Sequence, residues 1–183
     1  PSGGNVQPWQ VTVLTGESLT HLRTAMQGAM ATPQTPEYRI YPADLPDPWR
    51  TRRGANGEAL YGALAIGRED RAARMRQMAR NFDFFGAPVG LFLHMPKFMG
   101  PPQWADLGIW LQTVMLLLVE AGLGSCAQEA WSIYPETVKQ VAQIPEDHVL
   151  FCGLAIGWPD PEAPVNSFAN ARAPLAESAR FLD

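Results

Sequence analysis

Residues 104–131, WADLGIWLQTVMLLLVEAGLGSCAQEAW, constrain the fold of this chain more than any other stretch. Leu107, Trp110, Leu111, Val114, Met115, Leu118 and Ala121 recur at helical spacing. Ile109, Leu116, Leu117 and Val119 populate much of the other side. A helix apolar nearly all round is predicted to be buried on most of its faces. Asp106, Gln112, Thr113 and Glu120 interrupt it, which excludes a membrane span of ~20 consecutive apolar residues. Pro101 and Pro102 stand at its entry, where a missing N–H is harmless, and Gly122 stands at its exit as a C-terminal cap. Small residues follow, Gly124-Ser125-Cys126-Ala127, and predict a short strand with exposed backbone, which the rest of the chain is arranged to face.

The rest of the chain supplies strands and helices around this element. Residues 10–14 alternate as a strand, and a helix from Gly16 places Leu19, Leu22, Met26 and Met30 on one face. Residues 31–57 carry Pro33, Pro36, Pro42, Pro46 and Pro48, then Arg50, Arg52 and Arg53, and are expected to be irregular. Residues 58–66 and 69–81 predict two short helices, the second basic through Arg71, Arg74, Arg76 and Arg80. A solvated face or a site for the extra phosphate of NADPH would each account for these arginines. Residues 87–94 and 149–157 are apolar runs of strand length, buried on both faces, with His94 at the end of the first. Between them Pro135 opens a helix with Val138, Val141 and Ile144 inward, and a short helix is expected near Glu177.

At 183 residues, with 46% hydrophobic and 17% charged residues, the chain is expected to form one α+β domain over residues 1–183. A net charge of −4 argues against nucleic acid as a partner. Cys126 and Cys152 lie in apolar runs without metal-ligand spacing, and predict buried free thiols in a reducing, cytoplasmic setting. No Ser-His-Asp set, metal cluster, Walker loop or GxGxxG motif is present. So little chemistry in the side chains, beside several polar loops, points to a borrowed cofactor.

The segment PSGGNVQPW, residues 1–9, resembles the motif that closes the first conserved block of the FMN-dependent nitroreductase family. Three further stretches agree in order: Phe84-Phe85-Gly86-Ala87-Pro88-Val89; Asp106-Leu107-Gly108 through Gly122-Leu123-Gly124-Ser125-Cys126; and Gly153-Leu154-Ala155-Ile156-Gly157 followed by Arg172-Ala173-Pro174. The similarity spans nearly the whole chain and is strongest to nitrobenzoate-reductase-like members. They carry an insertion corresponding to residues 31–81, expected here to be a lid.

The resemblance implies a three-layer α/β/α fold with a mostly antiparallel sheet and a long buried central helix. It implies a homodimer with sites at the subunit interface, FMN as cofactor, and NAD(P)H as electron donor. Nitroaromatics or quinones would be reduced in ping-pong fashion by hydride transfer through flavin N5. No side chain is then required as a nucleophile, so no catalytic residue is assigned. Pro1, Ser2, Gly3 and Asn5 match the flavin-binding loop, and Asn5 offers both donor and acceptor to the ring or ribityl chain. Ala127, Gln128, Glu129 and Ala130 match the segment that meets the N5 side through backbone amides, although many members have glycine near Ala130. Asn81 matches a ribityl contact, and Arg172 matches the cation on the phosphate. Asn170 stands where some members place a second cation. The family's first phosphate-binding element, an arginine-rich segment, has no counterpart. Since the chain begins at Pro1 without methionine, that element is expected upstream in a longer protein. Two other roles fit the same resemblance, a flavin-dependent dehydrogenase or dehalogenase and a non-catalytic flavin-binding protein.

Overall fold

The computed structural model describes residues 1–182. Its contacts group into two compact units, one of Pro1–Pro42 with Met75–Pro159, the other of Ala43–Arg74 with the tail from Asp160.

The first unit is built on a four-stranded antiparallel sheet in the order β1-β2-β4-β3. Its strands are β1 (Gln10–Thr15), β2 (Val89–Pro96), β3 (Gly124–Gln128) and β4 (His148–Gly157). The two apolar runs, β2 and β4, take the central positions, where both faces are covered. Helices α1 (Gly16–Ala29) and α5 (Pro135–Ala142) share one apolar cluster with Leu14, Phe92, Leu150 and Ala155. Helix α4 (Pro101–Glu120) shares a second cluster with Leu91, Leu93, Met95 and Leu154. Alternation along β2 sends Phe92 to the first cluster and Leu91 and Leu93 to the second, which makes the three layers.

Helix α4 begins and ends as its sequence predicts. Gln103 Oε1 accepts the Gly100 N–H at 3.1 Å ahead of Pro101. Gly122 takes φ +75°, and the Leu123 N–H reaches back to the Leu118 carbonyl at 2.8 Å, a left-handed helix stop. Burial of α4 is one-sided within a single chain. Leu107 is fully covered, whereas Ile109, Leu116, Leu117 and Val119 are 44–67% exposed. One four-stranded sheet has room for one face of a helix, and the other apolar face stays open.

Several expectations are revised. Cys126 is exposed, because β3 is an edge strand; only Cys152 is buried, its thiol pushed up to about 12 by burial. Met30 is exposed because α1 stops at Ala29. In the second unit, helix α2 (Trp49–Ala63) begins well inside the stretch expected to be irregular. Its last proline, Pro48, is the N-cap, so everything after it is free to be helical. Helix α3 (Arg71–Ala79) follows, its residues from Met75 on belonging to the first unit. Arg74 bonds the Gly67 carbonyl at 3.1 Å and lies 4.2 Å over the Tyr61 ring. Among the described residues no helix is long and apolar enough to cross a membrane.

Polar residues pin the segment before Pro42 onto the first unit. Gln34 Oε1 accepts the Glu136 and Thr137 N–H groups at the start of α5, at 3.1 and 3.3 Å. Glu37 pairs with buried Lys139 and accepts the Leu150 N–H at 2.6 Å. The Tyr38 hydroxyl donates to the Phe151 carbonyl. Leu93 pairs with Cys152 and His94 with Leu150, so Phe151 is the extra residue of a bulge in β4.

His94 lies deep in this core, not at its edge, at 4% exposure. Its Nδ1 is 2.8 Å from Nδ1 of His148, and its Nε2 is 3.5 Å from Thr12 Oγ1. Burial, then the His148 and Lys139 charges, push the His94 imidazole down to about 4 from an ordinary 6.5. Between those values the unfolded chain takes up a proton that the folded chain refuses. The contribution of His94 is therefore complete above about pH 6.5 and is lost as pH falls toward 4, by at most ~3 kcal/mol. Urea midpoints at pH 7.5 and pH 5 should differ in this sense, and His94→Gln should flatten the difference.

Candidate functional site

The loop at residues 1–7 is held by its own backbone and by α4. Ser2 Oγ accepts the Gln7 N–H at 2.9 Å. The Ser2 carbonyl accepts the Asn5 N–H at 3.1 Å, and the Gly3 carbonyl accepts the Val6 N–H at 3.2 Å. Gly3 N–H donates to Asp106 Oδ1 on α4, also at 3.1 Å. This winding puts Gly4, Asn5 and Gln7 in the left-handed region, at φ of +58°, +57° and +52°. Glycine and asparagine enter that region readily, a glutamine less so, and strain of this kind gathers at ligand sites. The result is an exposed Asn5 whose side-chain amide has no partner among the described residues, and Gln7 is in the same position. Pro8 is buried and Trp9 packs into the cluster under α4, anchoring the loop's far end.

The second group lies at the end of β3. Ala127 and Glu129 are exposed, Ala130 is half-buried, and among the described residues β3 pairs only with β4, which leaves its other edge unpaired. Gln128 points the other way and is 3% exposed. Its Nε2 donates to the Asn81 carbonyl at 2.9 Å and to Asn81 Oδ1 at 3.3 Å. Its Oε1 accepts the Trp131 indole N–H at 3.3 Å. Asn81 Nδ2 donates to the Met78 carbonyl at 2.9 Å. The Asn81 and Gln128 side chains thus brace each other, and what this segment offers outward is backbone. Trp131 is fully buried among Phe82, Phe84 and Phe92, with ring centroids 4.6–5.4 Å away.

Asn170 and Arg172 belong to the second unit. The exposed Arg172 guanidinium folds back on the carbonyls of Asn170 and Ala171, at 3.1 and 3.4 Å. Arg52 and Glu177 pair within the same unit. Among the described residues no hydrogen bond joins the loop at residues 2–5 to the end of β3.

Asp106 is the residue that sequence reasoning passed over. Read along the helix it is only a polar interruption, yet it is 5% exposed and holds the loop. Its position beside Leu107, on the covered face, is the signal that could have found it.

An antiparallel sheet between α4 and the α1–α5 layer, with a Ser-Gly-Gly-Asn loop tied to α4, defines a three-layer α+β protein of nitroreductase-like fold. The Nitroreductase family model matches residues 1–158, and the chain belongs to that family. It is 36% identical over 172 residues to 4-nitrobenzoate reductase of Pseudomonas putida, covering 94% of this chain and 76% of that protein. The crystal structure of the FMN and NADPH-dependent nitroreductase NfnB from Sphigopyxis sp. strain HMH superposes with a TM-score of 0.97 at 51% identity, over 100% of this chain and 83% of that one. The FMN-dependent nitroreductase NfnB from Mycobacterium smegmatis, solved in complex with NADPH, gives 0.94 at 31% identity, over 100% and 82%.

Proposed function

We propose that this protein is an FMN-dependent oxidoreductase that uses NAD(P)H to reduce nitroaromatic compounds or quinones. The observation that carries the reading is the free Asn5 amide, presented on a loop held by the N–H groups of Gly3, Asn5, Val6 and Gln7. A flavin ring needs donors and acceptors side by side, and a side-chain amide provides both. The open edge of β3 at Ala127 to Ala130 adds backbone groups without bulky side chains. Arg172 is a fixed cation suited to the phosphate. The chemistry of these donors fits FMN, and the relatives named for FMN, NADPH and 4-nitrobenzoate support the same assignment. When bound, FMN supplies the two-electron hydride relay between nicotinamide and acceptor. The chain itself binds and orients: Asn5, Ser2 and Gly3 hold one side, and the backbone after β3 holds the other. Cys152, buried with a thiol raised to about 12, supplies no nucleophile.

The working form is a homodimer. The open face of α4, with Ile109, Leu116, Leu117 and Val119, is covered by the same face of a second copy. Dimerisation brings the loop of one copy to the β3 edge of the other.

The purified protein, with FMN added, should oxidise NADPH in step with the loss of 4-nitrobenzoate. Asn5→Ala should weaken FMN binding by about tenfold, the loss of one or two hydrogen bonds. Its unfolding temperature should fall only slightly, by the small cost of alanine at φ +57°, since the side chain is exposed and unbonded. Unchanged FMN affinity and turnover in this variant would remove the site assignment.

A further inference from the structure

Asp106 is 5% exposed, on a helix whose neighbouring positions are apolar. Oδ1 accepts the Gly3 N–H at 3.1 Å, while Oδ2 is buried without a partner among the described residues. A buried carboxyl with one donor opposes folding, because desolvation is only partly offset. Such a group is kept against stability where it holds something that matters. We infer that Asp106 is a positioning residue for the cofactor: its carboxyl fixes the Gly3 N–H and so sets the left-handed turn that presents Asn5. This rests on the proposed flavin site. It also ties the loop to α4, the helix that carries the exposed Leu116 and Leu117, so subunit packing and loop geometry share one helix.

Gly3 can be altered from the other side of the same bond. A Cβ built at Gly3 meets nothing within 4 Å, and Ser2 is already extended at φ −146° and ψ 152°, as a residue before proline must be. Gly3→Pro removes the N–H donor, and its ring Cδ, standing where the amide hydrogen pointed at Asp106, forces the loop and the carboxyl apart.

The experiment measures three quantities in the wild type, Asp106→Leu, Asp106→Asn and Gly3→Pro. They are the FMN dissociation constant by flavin fluorescence, the unfolding temperature without flavin, and, where the N–H is present, hydrogen exchange at Gly3. Asp106→Leu and Gly3→Pro should each weaken FMN binding by about tenfold or more, as for a hydrogen bond to a charged group. Asp106→Asn, which keeps an acceptor for Gly3, should stay within about threefold of wild type. The unfolding temperature of Asp106→Leu should equal or exceed that of the wild type, and its Gly3 amide should lose protection. A purely structural residue would give the reverse, lower stability with unchanged FMN affinity, and that result overturns the inference. Should Asp106→Leu fail to fold, Gly3→Pro decides alone, and an unchanged FMN affinity there overturns it. Should the wild type bind no FMN, the proposed function fails. Hydrogen exchange then judges the tether by itself, and Gly3 protection unaltered in Asp106→Leu overturns it.

Discussion

Replacing Gly153 with alanine is expected to destabilise the protein by ~3 kcal/mol or more, at or beyond the upper end for overpacking a core. A Cβ at Gly153 would stand 2.3 Å from Trp131 Cδ1 and 2.6 Å from its Nε1. Trp131 has no room to retreat, since it is fully buried and ringed by Phe82, Phe84 and Phe92. Its indole N–H also holds Gln128, which holds Asn81, so displacement would propagate to the end of β3. A lower urea midpoint with an unchanged slope checks the stability, and reduced FMN affinity checks the propagation. Gly28→Ala is the control. Gly28 lies in α1 with nothing within 4 Å of its Cβ position, so alanine there should be neutral or stabilising by ~0.5 kcal/mol.

The paired variant Leu116→Glu with Leu117→Glu is expected to turn a dimer into a folded monomer that has lost FMN. These side chains are 60% and 57% exposed in the single chain, so glutamates there leave its own core intact. In a dimer they would bury four unpaired carboxylates at one interface, a large penalty even after relaxation. The two half-sites, the loop at residues 2–5 and the β3 edge, would then no longer meet. FMN affinity should fall by about a hundredfold, or ~2.7 kcal/mol. Sedimentation and flavin fluorescence on one sample read both effects. A variant that remains dimeric, or a monomer that retains FMN, contradicts the shared site.

The contrast between legible and hidden features has a physical basis. β2, β4, α1, α4 and α5 were readable because each carries a continuous or periodic apolar pattern whose burial forms it. The loop at residues 1–9 was readable from its turn chemistry and its resemblance to a known motif. The first half of α2 was not, because five prolines upstream obscure the fact that none follows Pro48. Pairings across the fold leave no local trace. His94 and His148 are 54 positions apart, and Glu37 and Lys139 are 102 apart, so nothing in either neighbourhood announces the partner. The resemblance assigns Asn81 to a ribityl contact and Gln128 to the flavin through its backbone amide, and neither motif announces that the two side chains hydrogen-bond each other. Asp106 failed to stand out for a simpler reason, since one carboxyl in an apolar helix resembles an interruption until its partner on the loop is seen.

The central claim is that this chain binds FMN and reduces it with a nicotinamide. The visible spectrum of the protein reconstituted with FMN, recorded before and after anaerobic addition of NADPH and separately of NADH, tests it directly. The account predicts a bound-flavin spectrum, shifted from free FMN, that bleaches with at least one nicotinamide and recovers on adding 4-nitrobenzoate. A protein that leaves FMN free in solution, or holds it yellow with both donors, contradicts the account.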